Sequence, residues 1–487
     1  MATLFRNASW SGASAAFRAA SGLFNALLAV RLLGVEGYGH VATVLSVFVL
    51  YLALNSSVFT ALVVNLMKPT AINEKHAILL ASSSIFTVFS IVVLGVVTLL
   101  LREFAPQLLS IEPGAVLNAE IRHVILLMSA LTAIQTLAAW HAALIESTGR
   151  LDLAMKWQLI GPTVVLALLT IFFFGQFTLT ASGYVTALCA GALTDLFLLW
   201  LVKRTVMPSS AFYWPTPKRL YGLVDLLKSG GVLQATSLMG MFLEPLNKLL
   251  LNHFVGAAAV TIYDLAMKVI WGIQYLFSAA MRVFLHLGSQ NEEAVGPTFN
   301  KVIALIGVPV VILHTVGALF LSWIAHHWLA IESTQLMIFF AIATLSNLGM
   351  IYITPLYISL IGRGDLGFIF RCQAILAVTN VGISLILIPY FGLMGSAFGL
   401  LAATAYNAIA IFNRCKHSLG TLDDVGGTLR RTWIRYALSI LFFVAAIRVG
   451  ITSGSIFLSL LLMFGLAAIM FREPLVGFLL VKTGFVK

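Results

Sequence analysis

Six ionisable residues fall on polar stripes inside long apolar runs: Arg18, Glu244, Lys248, Asp264, Lys268 and Arg282. On a helix, Arg18 shares an arc of about 100° with Ser11, Ser14, Ser21, Gly22 and Asn25. Glu244 and Lys248 fall with Gln234 and Ser237 inside about 80°, and Asp264, Lys268 and Arg282 with Thr261, Trp271, Tyr275 and Ser278 inside about 100°. Glu244/Lys248 and Asp264/Lys268 are each spaced i, i+4 with the acid first, the favourable order for a helical ion pair. Each pair can neutralise itself to lower the cost of burial, and either acid can carry a coupling ion; the two roles are compatible. Arg18 has no acid on its own stripe. Its planar fork is therefore open to a ligand anion, phosphate above all, unless it only snorkels to the membrane boundary. The pattern predicts a binding surface of Arg18, Asn25, Lys248, Lys268, Trp271, Tyr275 and Arg282, with Glu244 and Asp264 as ion-coupling residues. Pro245 removes a backbone hydrogen bond beside Glu244 and is a candidate hinge.

Covalent chemistry has no comparable signal. The chain contains no Gly-x-Ser-x-Gly, no His-Glu-x-x-His and no glycine-rich phosphate loop ending in Lys-Ser/Thr. Cys189, Cys372 and Cys415 are scattered, and His326-His327 are adjacent, so they point to different helix faces. No catalytic residue, metal or cofactor is expected. Asp195 and His141, lone polar residues in apolar runs, read as packing residues ahead of proton carriers.

The elements that hold these stripes follow from composition. Of 487 residues, 60% are apolar and 10% charged, too few charges to cover a water-facing surface. Crossing a bilayer core takes about 20 mostly apolar residues. Fourteen such runs can be read, twelve between Trp10 and Phe412 and a shorter pair at Trp433–Val449 and Ser455–Phe471. The fold expected is all-α, a polytopic membrane protein. The first run begins near Trp10 and contains Arg18, so it reads as a retained helix rather than a signal peptide.

Charge placement supports that count. With the N-terminus inside, 22 of the 29 Lys and Arg residues fall on interior segments, the bias expected of cytoplasmic loops. Both termini are then cytoplasmic. The net charge of +11 describes orientation and attraction to anionic membrane lipid. The basic residues are dispersed over loop ends without an aromatic-lined groove, so no nucleic-acid partner is expected.

The chain also repeats. Residues 145–153 (Ile-Glu-Ser-Thr-Gly-Arg-Leu-Asp-Leu) and 358–366 (Ile-Ser-Leu-Ile-Gly-Arg-Gly-Asp-Leu) match at five of nine positions. The Gly-Arg-x-Asp-Leu core reads mainly as helix capping and topology. Six runs separate the copies, an even number, so the repeats are parallel. This predicts an N-lobe at 1–202, a basic linker at 203–225, a C-lobe at 226–413, and a segment 414–487 holding the last helix pair. Transporters built from such repeats bind substrate where the repeats meet and alternate their access.

Two segments carry a family likeness. Arg31-Leu-Leu-Gly-Val-Glu-Gly-Tyr-Gly39 resembles the start of the polysaccharide exporter family, and Ile388-Pro-Tyr-Phe-Gly-Leu-Met-Gly-Ser-Ala397 its turn between the eleventh and twelfth helices. The twelve-plus-two helix count is similar to that family and to the wider multidrug/oligosaccharidyl-lipid/polysaccharide exporter superfamily. The resemblance implies a flippase, not an enzyme, in the bacterial inner membrane. It would move a polyprenyl-diphosphate-linked oligosaccharide outward for polysaccharide biosynthesis, beside glycan polymerase or glycosyltransferase partners. Arg18, Lys248 and Lys268 match in type the cations such families place in a central cavity. A peptidoglycan-precursor or multidrug exporter of the same superfamily is the alternative. A membrane glycan polymerase or ligase is a third reading, and it would put essential residues at the exterior face: Arg102, Glu120 or Arg122.

Overall fold

The computed structural model describes residues 2–66, 73–108, 115–207, 239, 243–281, 295–329 and 333–419. These residues form twelve helices and no strands: α1 Ala2–Leu66, α2 Asn73–Leu108, α3 Ala115–Ser147, α4 Leu151–Trp157, α5 Ile160–Phe174, α6 Ala181–Val206, α7 Leu243–Phe254, α8 Ala257–Met281, α9 Val295–His327, α10 Ser333–Gly362, α11 Leu366–Phe391 and α12 Leu393–Leu419. Eight segments among them are long and apolar enough to cross a membrane. The chain is a multi-pass, all-α membrane protein. Arg282 and the expected last pair of spans lie outside the described residues.

Two of the expected spans, Trp10–Leu33 and His40–Met67, with Gly34 in the turn between them, belong to one helix with a break. A 65-residue α1 would run roughly 100 Å if straight, about three times a bilayer core. It bends at Gly34, whose φ of 78° and ψ of 167° suit only glycine. The expected span Leu153–Phe174 is also interrupted, as α4 and α5, with Gln158 and Leu159 between them. Pro162 sits in the first turn of α5, where its missing N–H costs no helical bond.

Chain contacts divide the fold into two compact units. The first takes in α1 to α7, α8 as far as Leu265, and Ser384–Gly392 of α11; the second takes in α8 from Ala266 onward and the remaining helices.

Within the first unit, α2 shows how helices associate without a hydrophobic driving force between them. One face is small and polar (Ser82, Ser83, Ser84, Thr87, Ser90, Thr98) and fully buried, while Val88, Phe89, Val92 and Val96 are exposed. Such an inside-out pattern suits a lipid surround, because small residues let backbones approach and hydroxyls bridge helices. Ser90 Oγ donates to Asn55 Oδ1 at 2.8 Å, Trp140 Nε1 to Ser83 Oγ at 3.0 Å, and Thr98 Oγ1 to Ser129 Oγ at 2.7 Å. These bonds join α1, α2 and α3. Glu120 of α3 accepts the backbone N–H of Ala181 at 3.0 Å, capping the start of α6. At its other end, α6 closes on Lys203 and Arg204, which lie over the rings of Trp140 and Trp200 at 5.5 and 4.2 Å.

The second unit uses the same devices. Ser346 Oγ lies 2.7 Å from Thr404 Oγ1, and Asn347 Nδ2 lies 3.1 Å from His314 Nε2, so α9, α10 and α12 are joined by buried polar groups. On α11 Val378 is exposed, whereas Asn380 is buried.

The two Gly-Arg-x-Asp-Leu copies are alike in sequence and differ in geometry. Gly149 takes the positive φ in the first copy and Gly364 in the second. Arg150 pairs with its neighbour Asp152 at 3.2 Å. In the second copy Asp365 instead receives Arg414 of α12 at 2.8 Å.

Candidate functional site

Two polar constructions stand out in the first unit. The first is a cavity of about 470 Å³ bounded by α1, α3, the α4–α5 break and α6, inside the roughly 300–1,000 Å³ usual for small-molecule pockets. Four members of the predicted α1 stripe, Arg18, Ser21, Gly22 and Asn25, line it. The stripe forms because an i, i+3, i+4, i+7 pattern keeps these positions on one face.

The break between α4 and α5 supplies the opposite side. Arg18 Nη2 donates to Gln158 Oε1, and the Arg18 side chain is exposed. Asp195 Oδ1 of α6 accepts the backbone N–H of Gly161 at 2.8 Å. That N–H belongs to the first turn of α5 and has no helical acceptor of its own, so Asp195 caps the half-helix from a neighbouring element. A Cβ at 161 would strike the Asp195 carboxylate, so any side chain there would displace that acid. Asp195 and Glu146 both act on Arg18 electrostatically. Asn25 is 7% exposed, and its Oδ1 has no hydrogen-bond partner.

The second construction is a buried ionic cluster. Lys248 Nζ lies 2.5 Å from Glu244 Oε1 and 2.5 Å from Asp264 Oδ1. Tyr38 of α1 donates its hydroxyl to Asp264 Oδ2 at 2.6 Å. The expected i, i+4 pair Glu244–Lys248 is present, and Lys248 also reaches across to α8. Backbone approach makes the cluster compact: Thr261 Oγ1 donates to the Val35 carbonyl at 2.5 Å, and any Cβ on Gly39 would run into the Ala257 carbonyl. Thr261 lies on the expected polar stripe of α8 and Tyr38 and Gly39 in the Arg31–Gly39 segment, but none of the three is among the expected binding or ion-coupling residues.

The remaining expected residues are placed as follows. Lys268, Trp271 and Tyr275 stand on the part of α8 that belongs to the second unit. Lys268 is half-buried, Tyr275 is exposed, and Trp271 Nε1 is buried without a hydrogen-bond partner. Pro245 lies in the first turn of α7 as described; the turn before it lies outside the described residues. His141 is buried against Trp140, ring centroids 4.9 Å apart. No group of three or more metal-ligating side chains occurs among the described residues. Gln158 and Gly161 lie outside the polar stripes read from the sequence, although Gly161-Pro162 inside an apolar run is a helix-start signal.

A cavity framed by one kinked and one interrupted membrane helix, with a few polar side chains on a largely apolar wall, defines this as a helical membrane protein with an internal pocket. No protein-family model matches the chain, and no curated protein matches it. Solved structures do. An inward-facing multidrug resistance MATE transporter of the MOP superfamily superposes with a TM-score of 0.69 at 15% identity, over 84% of this chain and 96% of its own. The lipid II flippase MurJ in an inward closed conformation gives 0.68 at 14%, over 95% and 99%. A MOP superfamily transporter from Pyrococcus furiosus, described as having a binding pocket of reverse polarity, gives 0.55 at 15%, over 86% and 96%. The chain has the fold of the MOP superfamily transporters.

Proposed function

We propose that this protein is a flippase that carries a polyprenyl-diphosphate-linked oligosaccharide from the cytoplasmic to the exterior leaflet of a bacterial inner membrane. The observation that carries the reading is Arg18: an arginine within a candidate membrane span, lining a cavity and held by the neutral amide of Gln158. A diphosphate cannot cross hydrocarbon unaided, and a guanidinium can meet it with two hydrogen bonds at once. The lipid tail stays outside the cavity. In this reading the lobes are 1–202 and 226–413, joined by the basic segment 203–225 and followed by 414–487, and they alternate access. Both termini are cytoplasmic. Lys248 and Lys268 add cationic character, and Glu244 and Asp264 are the groups through which an ion gradient would act.

The MurJ and MATE likenesses support transport as the activity and leave the cargo to the site. Alanine at Arg18, Lys248, Lys268 and Arg122, scored for glycan export in cells, tests the assignment. Loss at Arg18 supports the flippase; loss at Arg122 alone supports a glycan polymerase or ligase. Glu120, which that enzyme reading would recruit, is engaged in capping α6.

A second reading, export of cationic amphiphiles, is favoured by one observation: Asp195 puts an acid on the cavity wall. Drug efflux that depends on Asp195 and not on Arg18 would select it.

A further inference from the structure

Of the residues that line the first-unit cavity, Arg18 and Asp195 are the two charged ones, and they are opposite in sign. A bare anion entering the cavity meets Asp195, and a bare cation meets Arg18; either encounter includes a like-charge cost. The α5 N-terminus does not relieve this. Its Gly161 N–H is already taken by Asp195, and Pro162 has no N–H to offer. Arg18 is therefore the group for a phosphate.

The other polar side chains on the wall, Ser21, Asn25, Gln135 and Gln158, are hydroxyl and amide groups that both donate and accept. Asp195 uses Oδ1 on Gly161, and a carboxylate offers about four lone-pair positions in all. Asn25 Oδ1 is buried and unpartnered, and Gln135 of α3 lines the same space. Leaving such an acceptor unpaired is costly, so a ligand that brings donors recovers that loss. Hydroxyl groups bring donors without charge.

We infer that this cavity is a sugar-phosphate subsite, in which Arg18 takes the phosphate and Asp195, Asn25 and Gln135 accept hydrogen bonds from hydroxyls of the attached sugar. The inference rests on the flippase reading and sharpens it: selection acts on the first sugar and its phosphate together, inside one unit.

The test is calorimetric binding to the purified full-length protein in detergent, with glucose 1-phosphate, glucose, inorganic phosphate and tetraphenylphosphonium as probes. The expected result is that glucose 1-phosphate binds at least tenfold more tightly than either glucose or phosphate alone. Arg18→Gln should reduce it to the level of glucose. Asn25→Leu and Gln135→Ala, which leave the α5 cap intact, should reduce it to the level of phosphate, as should Asp195→Asn if that variant elutes as a single species. Equal binding of phosphate and glucose 1-phosphate would make this a plain anion site and overturn the inference. Binding of tetraphenylphosphonium that needs Asp195 would make it a cation site and overturn it too. Sugar-phosphate binding in a protein that flips no lipid-linked oligosaccharide would keep the subsite and defeat the flippase. Flipping that persists in Arg18→Gln and Asn25→Leu, with no sugar phosphate bound, would do the reverse.

Discussion

Lys248 Nζ lies 2.5 Å from Asp264 Oδ1, an ion pair between α7 and α8 in which Lys248 is 6% and Asp264 1% exposed. Charges taken this far from water are retained only when paired. Removing Lys248 leaves Glu244 and Asp264 facing each other without the cation between them. Lys248→Met should therefore destabilise the protein by about 3–5 kcal/mol, the usual cost of stranding one partner of a buried pair. The double variant Lys248→Met/Asp264→Leu should lose much less than the sum of the singles. Thermal unfolding in detergent checks this, and additive losses would contradict the pairing.

Tyr38 fixes α1 to the same acid through its 2.6 Å hydrogen bond. Tyr38→Phe keeps the ring against Tyr184, 6.2 Å between centroids, and deletes only the donor. The expected loss is about 1.5–3 kcal/mol, the range for a hydrogen bond to a charged group. Gly39→Ala should also destabilise, by about 1–3 kcal/mol, because the added methyl meets the Ala257 carbonyl and pushes α8 away from α1. Wild-type melting behaviour in both variants would refute the close approach.

At the cavity, Gly161→Ala places a methyl against the Asp195 carboxylate. The acid must swing away, the α5 start loses its cap, and a cap is worth about 0.5–2 kcal/mol. Glycan export should fall in this variant although no ligand-facing polar atom has been deleted. Full export would show that the position of Asp195 does not matter.

Pro245 bears on rates. If the helix bends there during transport, Pro245→Ala should slow turnover several-fold while substrate binding stays within about twofold, since a more regular helix resists bending. Unchanged turnover would remove the hinge.

How far these features could be read from residues alone depends on how local their causes are. The membrane spans and the Arg18-Ser21-Gly22-Asn25 stripe follow from hydropathy and from helical period, so both are visible in the chain. The Glu244–Lys248 pair is a one-turn spacing and equally legible. The Lys248–Asp264 and Tyr38–Asp264 contacts join residues 16 and 226 apart, and no periodicity encodes such a meeting. The break at Gln158–Leu159 was signalled by Gly161-Pro162 but hidden inside an apolar run long enough to read as one helix. Gly34, expected in a turn between two spans, is a kink because the helical pattern resumes on both sides of it. Asp195 read as a packing residue; it does cap α5, and its place on the cavity wall depends on how α6 lies against that break.

The decisive measurement is transbilayer movement of a fluorescently tagged polyprenyl-diphosphate oligosaccharide in proteoliposomes, compared between wild type, Arg18→Lys and Arg18→Gln. A flippase anchored on a bidentate guanidinium moves the lipid in the wild type, loses at least tenfold in rate in Arg18→Gln, and is not restored by Arg18→Lys, because an ammonium lacks the planar fork. Equal rates in all three proteins, or movement no faster than in protein-free liposomes, would contradict it.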